Sequence, residues 1–240
     1  MDMLGLVQYI RRYYLAIVLY TVFSFYCVFN IEGFPTGGFS HSSGLEVALK
    51  TYVVQDTDTL KEFLLCCLEN GGSFILPFLR EGYLQVTNIQ ALCDLDSLCE
   101  ACTPNHVAKR ASSRQGRSML DTCVKVFKKT PSLSVLNDSL QYKHLPVVFG
   151  AVCTTLDIDL QSSCTAFLFT ILRTVLASAV RLDKVGPIEA QSIQTELQHE
   201  IPAVIERHKV RRSEDACMIY PHIDIVQNMH DTMFSKLFYS

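Results

Sequence analysis

Nowhere do apolar and polar residues alternate over a strand's length beside a hairpin turn, so the sequence gives no basis for a β-sheet fold. Internal repeats and low-complexity tracts are also missing, which removes solenoids and linker-like proteins. Charge is scarce: 19% of the residues are Asp, Glu, Lys or Arg, and the formal net charge is -3. No basic excess marks nucleic acid as a partner. The local clusters Lys109-Arg110-Arg114-Arg117 and Lys209-Arg211-Arg212 lack interleaved aromatic residues and read as solvated helix faces or loops. Disorder is excluded as well, because 49% of the chain is apolar.

What the chain does have is length, helical periodicity and cysteine. Its 240 residues suit one domain with a real core. The ten cysteines include the adjacent pair Cys66-Cys67. Cys93, Cys99, Cys102, Cys123, Cys153 and Cys164 lie within apolar periodic stretches. That pattern fits buried thiols in a reducing compartment better than a secreted disulfide framework. The amino terminus points elsewhere. Arg11-Arg12 precedes an uncharged run, Tyr13 to Phe29, at the short end of what spans a bilayer. Residues 1–30 therefore stand apart from a 31–240 helical domain. A membrane anchor and an altered gene start both remain readings of them.

Past Phe34 the helix signals follow one another. Ser43 to Glu46 fits a capping box opening a helix to about Tyr52. Asp56 or Asp58 caps a second helix, stopped at Gly71-Gly72. A third holds Pro77 as its kink or its start. Asn88 to Ala101 makes a fourth, and Pro104 opens a fifth reaching about Lys128. A short helix sits between Pro131 and Pro146, and Val147 to Leu156 forms another. The apolar run after Asp157 or Asp159 carries Arg173 at its centre, which favours a core helix over a membrane span. Gly186-Pro187 opens a helix to about His208, residues 210–221 form a polar linker, and a last helix runs from Pro221 to about Leu237. The expectation is all-α: a single-domain helical bundle of nine to ten helices.

Three chemistries compete for "FPTGGFSHSSGLE", Phe34 to Glu46. Gly38-Phe39-Ser40-His41-Ser42 looks like a nucleophile elbow, but Ser42 stands where its last glycine belongs and no strand precedes the turn. A phosphate loop needs a Lys-Ser or Lys-Thr step, whereas Leu45 follows Gly44. A shaped turn fits: glycines permit positive φ, Pro35 fixes φ, and Ser43 caps. Cys99, Cys102 and His106 have spacing that zinc or nickel would accept. Pro104 interrupts their helix, however, and no second CxxC follows. No catalytic constellation stands out, which points to an interaction protein.

The same turn resembles the signature of the UreF family of urease accessory proteins. Four further blocks are similar to that family in the same order: Leu95 to Leu120, "HLPVVFGAV" (His144 to Val152), "ASAVRLDKVGPIEAQ" (Ala177 to Gln191), and the ending "DIVQNMHDTMFSKLFYS". Ile31-Glu32 stands where the family usually has an Asp-Ser step. The resemblance implies an all-α, dimeric protein without a reaction of its own. It implies binding to the UreD (UreH) accessory protein, recruitment of the UreG GTPase, and nickel delivery to apo-urease in the cytoplasm. No cofactor is expected to be held tightly, since the assembly handles the nickel. The partner-binding residues it implies are Pro35, Gly37, Gly38, His41, Ser43, Gly44, Glu46, Arg110, Arg181, His230, Asp231, Leu237 and Phe238, with Leu237 and Phe238 as anchors in a partner's groove. The competing readings are a membrane-anchored helical interaction protein and a metal carrier using Cys99, Cys102 and His106.

Overall fold

The computed structural model describes residues 36–239, all within one compact unit spanning Pro35–Ser240. The apolar amino-terminal segment and Pro35 lie outside the described residues. Among those described, nine helices and no strand form the domain. They are α1 (Leu45–Lys50), α2 (Thr57–Leu84), α3 (Ile89–Cys102), α4 (His106–Val126), α5 (Pro131–Ser139), α6 (Leu145–Thr155), α7 (Leu160–Arg181), α8 (187–208, narrowed to a 3-10 turn at Gln198–Glu200) and α9 (Pro221–Asn228). This is the expected all-α bundle.

α7 is the central element. The Asp159 side chain accepts the Ser162 N–H at 2.9 Å and so starts the helix. Leu168, Leu172, Val175 and Ala179 repeat at helical spacing and are fully buried against α1, α2, α6 and α8. Among the described residues two helices, Thr57–Leu84 and Leu160–Arg181, are long and apolar enough to cross a membrane, and both are mostly buried inside this fold.

Three boundaries differ from expectation. Gly71-Gly72 does not stop a helix; the chain continues through a π turn, Gly71–Ile75, into Leu76–Leu84. The glycines serve close packing instead: a Cβ on Gly72 would lie 2.5 Å from His208 Cδ2 and 2.6 Å from Val204 Cγ1 of α8. Pro104 precedes α4 rather than starting it, because the Asn105 side chain caps the Val107 and Ala108 N–H groups at 3.0 and 3.2 Å. The last helix ends at Asn228, and after a 3-10 turn (Met229–Thr232) the chain runs on without helix.

The tightest packing joins the second half of α2 to α6, and α6 to α4. Gly150 on α6 lies so close to α2 that a Cβ would overlap the Leu79 carbonyl oxygen and sit 2.8 Å from Tyr83 N. Buried Asp96 on α3 accepts the N–H groups of Tyr142, Lys143 and His144 at 2.8–2.9 Å, which fixes the entry to α6. His144 then bridges Ser112 Oγ (3.2 Å) and Glu100 Oε2 (2.8 Å). The order resembles a nucleophilic triad. Yet the imidazole is fully buried, and Ser112 lies mid-helix with its oxygen accepting the Leu145 N–H at 3.1 Å. These contacts brace α3, α4 and α6.

No disulfide forms among the described residues. Of the thiols expected to be buried, Cys99, Cys123, Cys153 and Cys164 are, as is Cys67, whereas Cys93 and Cys102 are half-buried at the edges of their helix faces. Burial pushes Cys123 and Cys153 up to about 12 and Cys164 to about 11.

Candidate partner-binding face

The glycine-rich turn owes its shape to left-handed residues. Gly37 has φ 76°, Ser43 φ 52° and Gly44 φ 88°, and between them Gly38–Ser40 makes one 3-10 turn. Such φ values are costly for residues with a Cβ, which accounts for glycine at two of the three positions. At Gly44 space adds to φ, since a Cβ would lie 3.2 Å from the Gln227 backbone of α9. Ser43, in the left-handed region, does not cap α1. The expected capping box is absent: Gly44 precedes the helix without a side-chain cap, and the Glu46 N–H approaches Ser42 Oγ at 3.5 Å.

Glu46 is thereby free for another task. Its carboxylate is 2% exposed and accepts the Leu237 N–H at 2.8 Å and the Phe238 N–H at 3.2 Å. Lys50 Nζ and His230 Nε2 each lie 3.6 Å from it. A buried carboxylate needs such donors, and its place in the first turn of α1 adds the favourable end of the helix dipole.

The carboxy-terminal tail is tied down along its length. Asp231 accepts from Arg110 Nη2 at 2.9 and 3.0 Å and pairs with His106 Nε2 at 2.9 Å. Burial alone would raise the Asp231 carboxyl, but the Arg110 and His106 hydrogen bonds outweigh it and hold it below the usual range. Lys50 Nζ donates to the Ser235 carbonyl at 2.6 Å, and the Tyr239 N–H donates to the Ser40 carbonyl at 2.8 Å. Arg181, at the end of α7, lies 4.3 Å from the Phe238 ring centroid and 5.2 Å from that of Phe39. Arg114 covers the Tyr239 ring at 4.4 Å. Each is a cation–π contact joining tail or turn to a core helix.

Two buried histidines sit beneath this surface. The His41 carbonyl accepts from Ser178 Oγ at 3.3 Å, and its ring meets Tyr239 edge-on at 6.5 Å. Burial lowers His41 to about 4, and Arg114, His230 and Arg110 add to the shift. His230 is also lowered, by burial first and then Lys236, against the opposing pull of Glu46 and Asp231. Neither His230 ring nitrogen has a hydrogen-bond partner among the described residues.

Gly37, Gly38, His41, Ser43, Gly44, Glu46, Arg110, Arg181, His230, Asp231, Leu237 and Phe238 thus gather at one face. One role changes. Phe238 is 5% exposed, buried in the chain's own fold beneath Arg181, and is not available to a partner as an anchor. Leu237 is exposed, as are Phe39, Phe234 and Tyr239. Sequence reasoning missed Lys50, Arg114 and Tyr239; the spacing of Arg114 from Arg110, one helical turn, was the available signal. Cys99, Cys102 and His106 do not assemble into a ligand set. Cys99 is buried with its thiol raised by desolvation, His106 faces Asp231, and no cluster of three metal-capable side chains occurs among the described residues.

A family model described as UreF matches residues 54–198. That span holds Arg110 and Arg181 but neither the glycine-rich turn nor the tail, so helices α2 to α7 and the first half of α8 carry the match. Whole-chain comparison reaches further. The chain is 35% identical over 212 residues to urease accessory protein F of Arabidopsis thaliana, covering 86% of this chain and 88% of that one. It is 33% identical to urease accessory protein F of Oryza sativa subsp. indica (85% and 80% covered) and 29% identical to urease accessory protein UreF of Trichodesmium erythraeum (85% and 91% covered). An all-α fold, a matched helical core and near full-length relatives of one kind agree: the chain belongs to the UreF family of urease accessory proteins.

Proposed function

We propose that this chain is a non-catalytic scaffold of urease maturation. In this reading it binds the UreD (UreH) accessory protein, recruits the UreG GTPase, and so serves nickel delivery to apo-urease in the cytoplasm. It works as a homodimer within that complex. Nickel belongs to the assembly as cargo, and this chain holds no tight cofactor. One observation carries the reading. The amino-terminal turn and the carboxy-terminal tail, 191 residues apart at the Glu46–Leu237 hydrogen bond, are locked into one face that leaves Phe39, Leu237 and Tyr239 in solvent. Aromatic and aliphatic side chains presented together on so constrained a backbone support a protein-binding role.

The test is co-expression of the full chain with UreD-type and UreG-type partners, followed by size-exclusion chromatography with mass measurement. A co-eluting complex of defined stoichiometry is expected. Separate elution of all three proteins overturns the proposal.

A further inference from the structure

The face has a charge opposite to that of the chain. The protein carries net charge -3. Here, however, Lys50, Arg110, Arg114, Arg181 and Lys236 gather around two carboxylates among the described residues, Glu46 and Asp231. Both carboxylates are committed. Glu46 is buried on the tail's N–H groups, and Asp231 is engaged by Arg110, His106 and Lys236. Arg110, Arg114 and Arg117 lie at positions i, i+4 and i+7 of α4, along one stripe that ends at Asp121, whose carboxylate accepts from Asn137 Nδ2 at 3.1 Å. Arg114 is exposed and lies over Tyr239, and exposed Arg117 has no ion pair among the described residues. Phe39, Leu237 and Tyr239 stand beside these cations, 71%, 64% and 56% exposed.

We infer that this face docks an acidic segment of the partner protein. Its carboxylates meet Arg114 and Arg117, and its apolar side chains lie against Phe39, Leu237 and Tyr239. The inference rests on the proposed partner-binding role and adds the chemistry of what is bound. Guanidinium groups receive carboxylates through paired N–H donors, and charges at an interface rim act mainly on encounter rate and salt dependence. The apolar side chains supply the desolvated contact that holds the complex once formed. The overall negative charge disfavours the long-range attraction that a nucleic acid would exploit.

The experiment titrates the full chain with the UreD-type partner by calorimetry at about 50 mM and about 300 mM salt. The double variant Arg114→Glu/Arg117→Glu is compared with Arg114→Gln/Arg117→Gln, and circular dichroism confirms the fold of both. Charge reversal should weaken binding by more than about tenfold, neutralisation by less, and salt should weaken the parent most. A parent that binds, with affinity indifferent to salt and to both variants, overturns the acidic segment and leaves the scaffold reading standing. A parent that never binds overturns both. A labelled single-stranded oligonucleotide is the remaining probe. If it binds the parent more tightly than the partner does and is lost in the reversal variant, the face belongs to nucleic acid and the inference fails.

Discussion

His41 and Glu46 occupy one turn and use burial in opposite ways. Glu46 keeps its carboxylate out of water because two backbone N–H groups of the tail point at it. His41 has cations for neighbours, Arg114 and Arg110, so burial and charge both disfavour its protonated form and bring it from 6.5 to about 4. The consequence is a pH dependence with a definite sign. As pH falls through 6.5 the unfolded chain protonates this histidine, while the folded chain does not until about 4. The stabilisation is therefore complete above 6.5 and is lost as pH falls to about 4, amounting to about 3 kcal/mol. His230 is shifted in the same direction. Urea midpoints should fall as pH is lowered through this window, and His41→Gln should flatten the profile. An equally steep profile in the variant would place the acid sensitivity in other groups.

Helices meet at glycines wherever backbones approach most closely, and this can be tested at Gly150. An added Cβ there would strike the Leu79 carbonyl oxygen and the Tyr83 nitrogen, which are main-chain atoms that no rotamer change moves aside. Gly150→Ala should destabilise the protein by about 3 kcal/mol or more, read as a drop in denaturant midpoint. By contrast Gly186→Ala, where a Cβ meets nothing within 4 Å, should be nearly silent. Equal stability of the two variants would refute the close-approach role. Elements of this kind mark the limit of what the sequence reveals. Asp56 was legible as one of two candidate caps because a cap and its target N–H, here that of Thr59, are three residues apart. Gly71-Gly72 reads locally as a stop, since nothing nearby in sequence announces that Val204 and His208 will press against it. The candidate face was legible as two separate blocks, the turn and the tail. That Glu46 binds the tail was not, because hydrogen bonds across 191 and 192 residues leave no periodicity in either block.

At the scale of the whole molecule, the tail closes the chain on itself, so removing it would confound two effects. Deleting residues 236–240 takes away the exposed Leu237 and also the N–H donors of Glu46 and the rings under Arg114 and Arg181. Loss of partner binding after that deletion would not tell a contact surface from a brace. Single substitutions separate them, because neighbouring side chains point to different places. Leu237 is 64% exposed and Phe238 5%. Leu237→Ala should leave the melting temperature within the scatter of surface changes, about 0.5 kcal/mol, while weakening partner binding. Phe238→Ala should lower stability by up to about 3 kcal/mol, since it empties a buried site and strips Arg181 of its ring. Its effect on partner binding should then be indirect, appearing as faster hydrogen exchange at the Leu237 and Tyr239 amides before any partner is added. If Leu237→Ala destabilises the fold and Phe238→Ala does not, the tail is seated with the opposite side inward. If both change stability alike and neither changes binding, the tail is a brace alone and the partner meets the turn and α4.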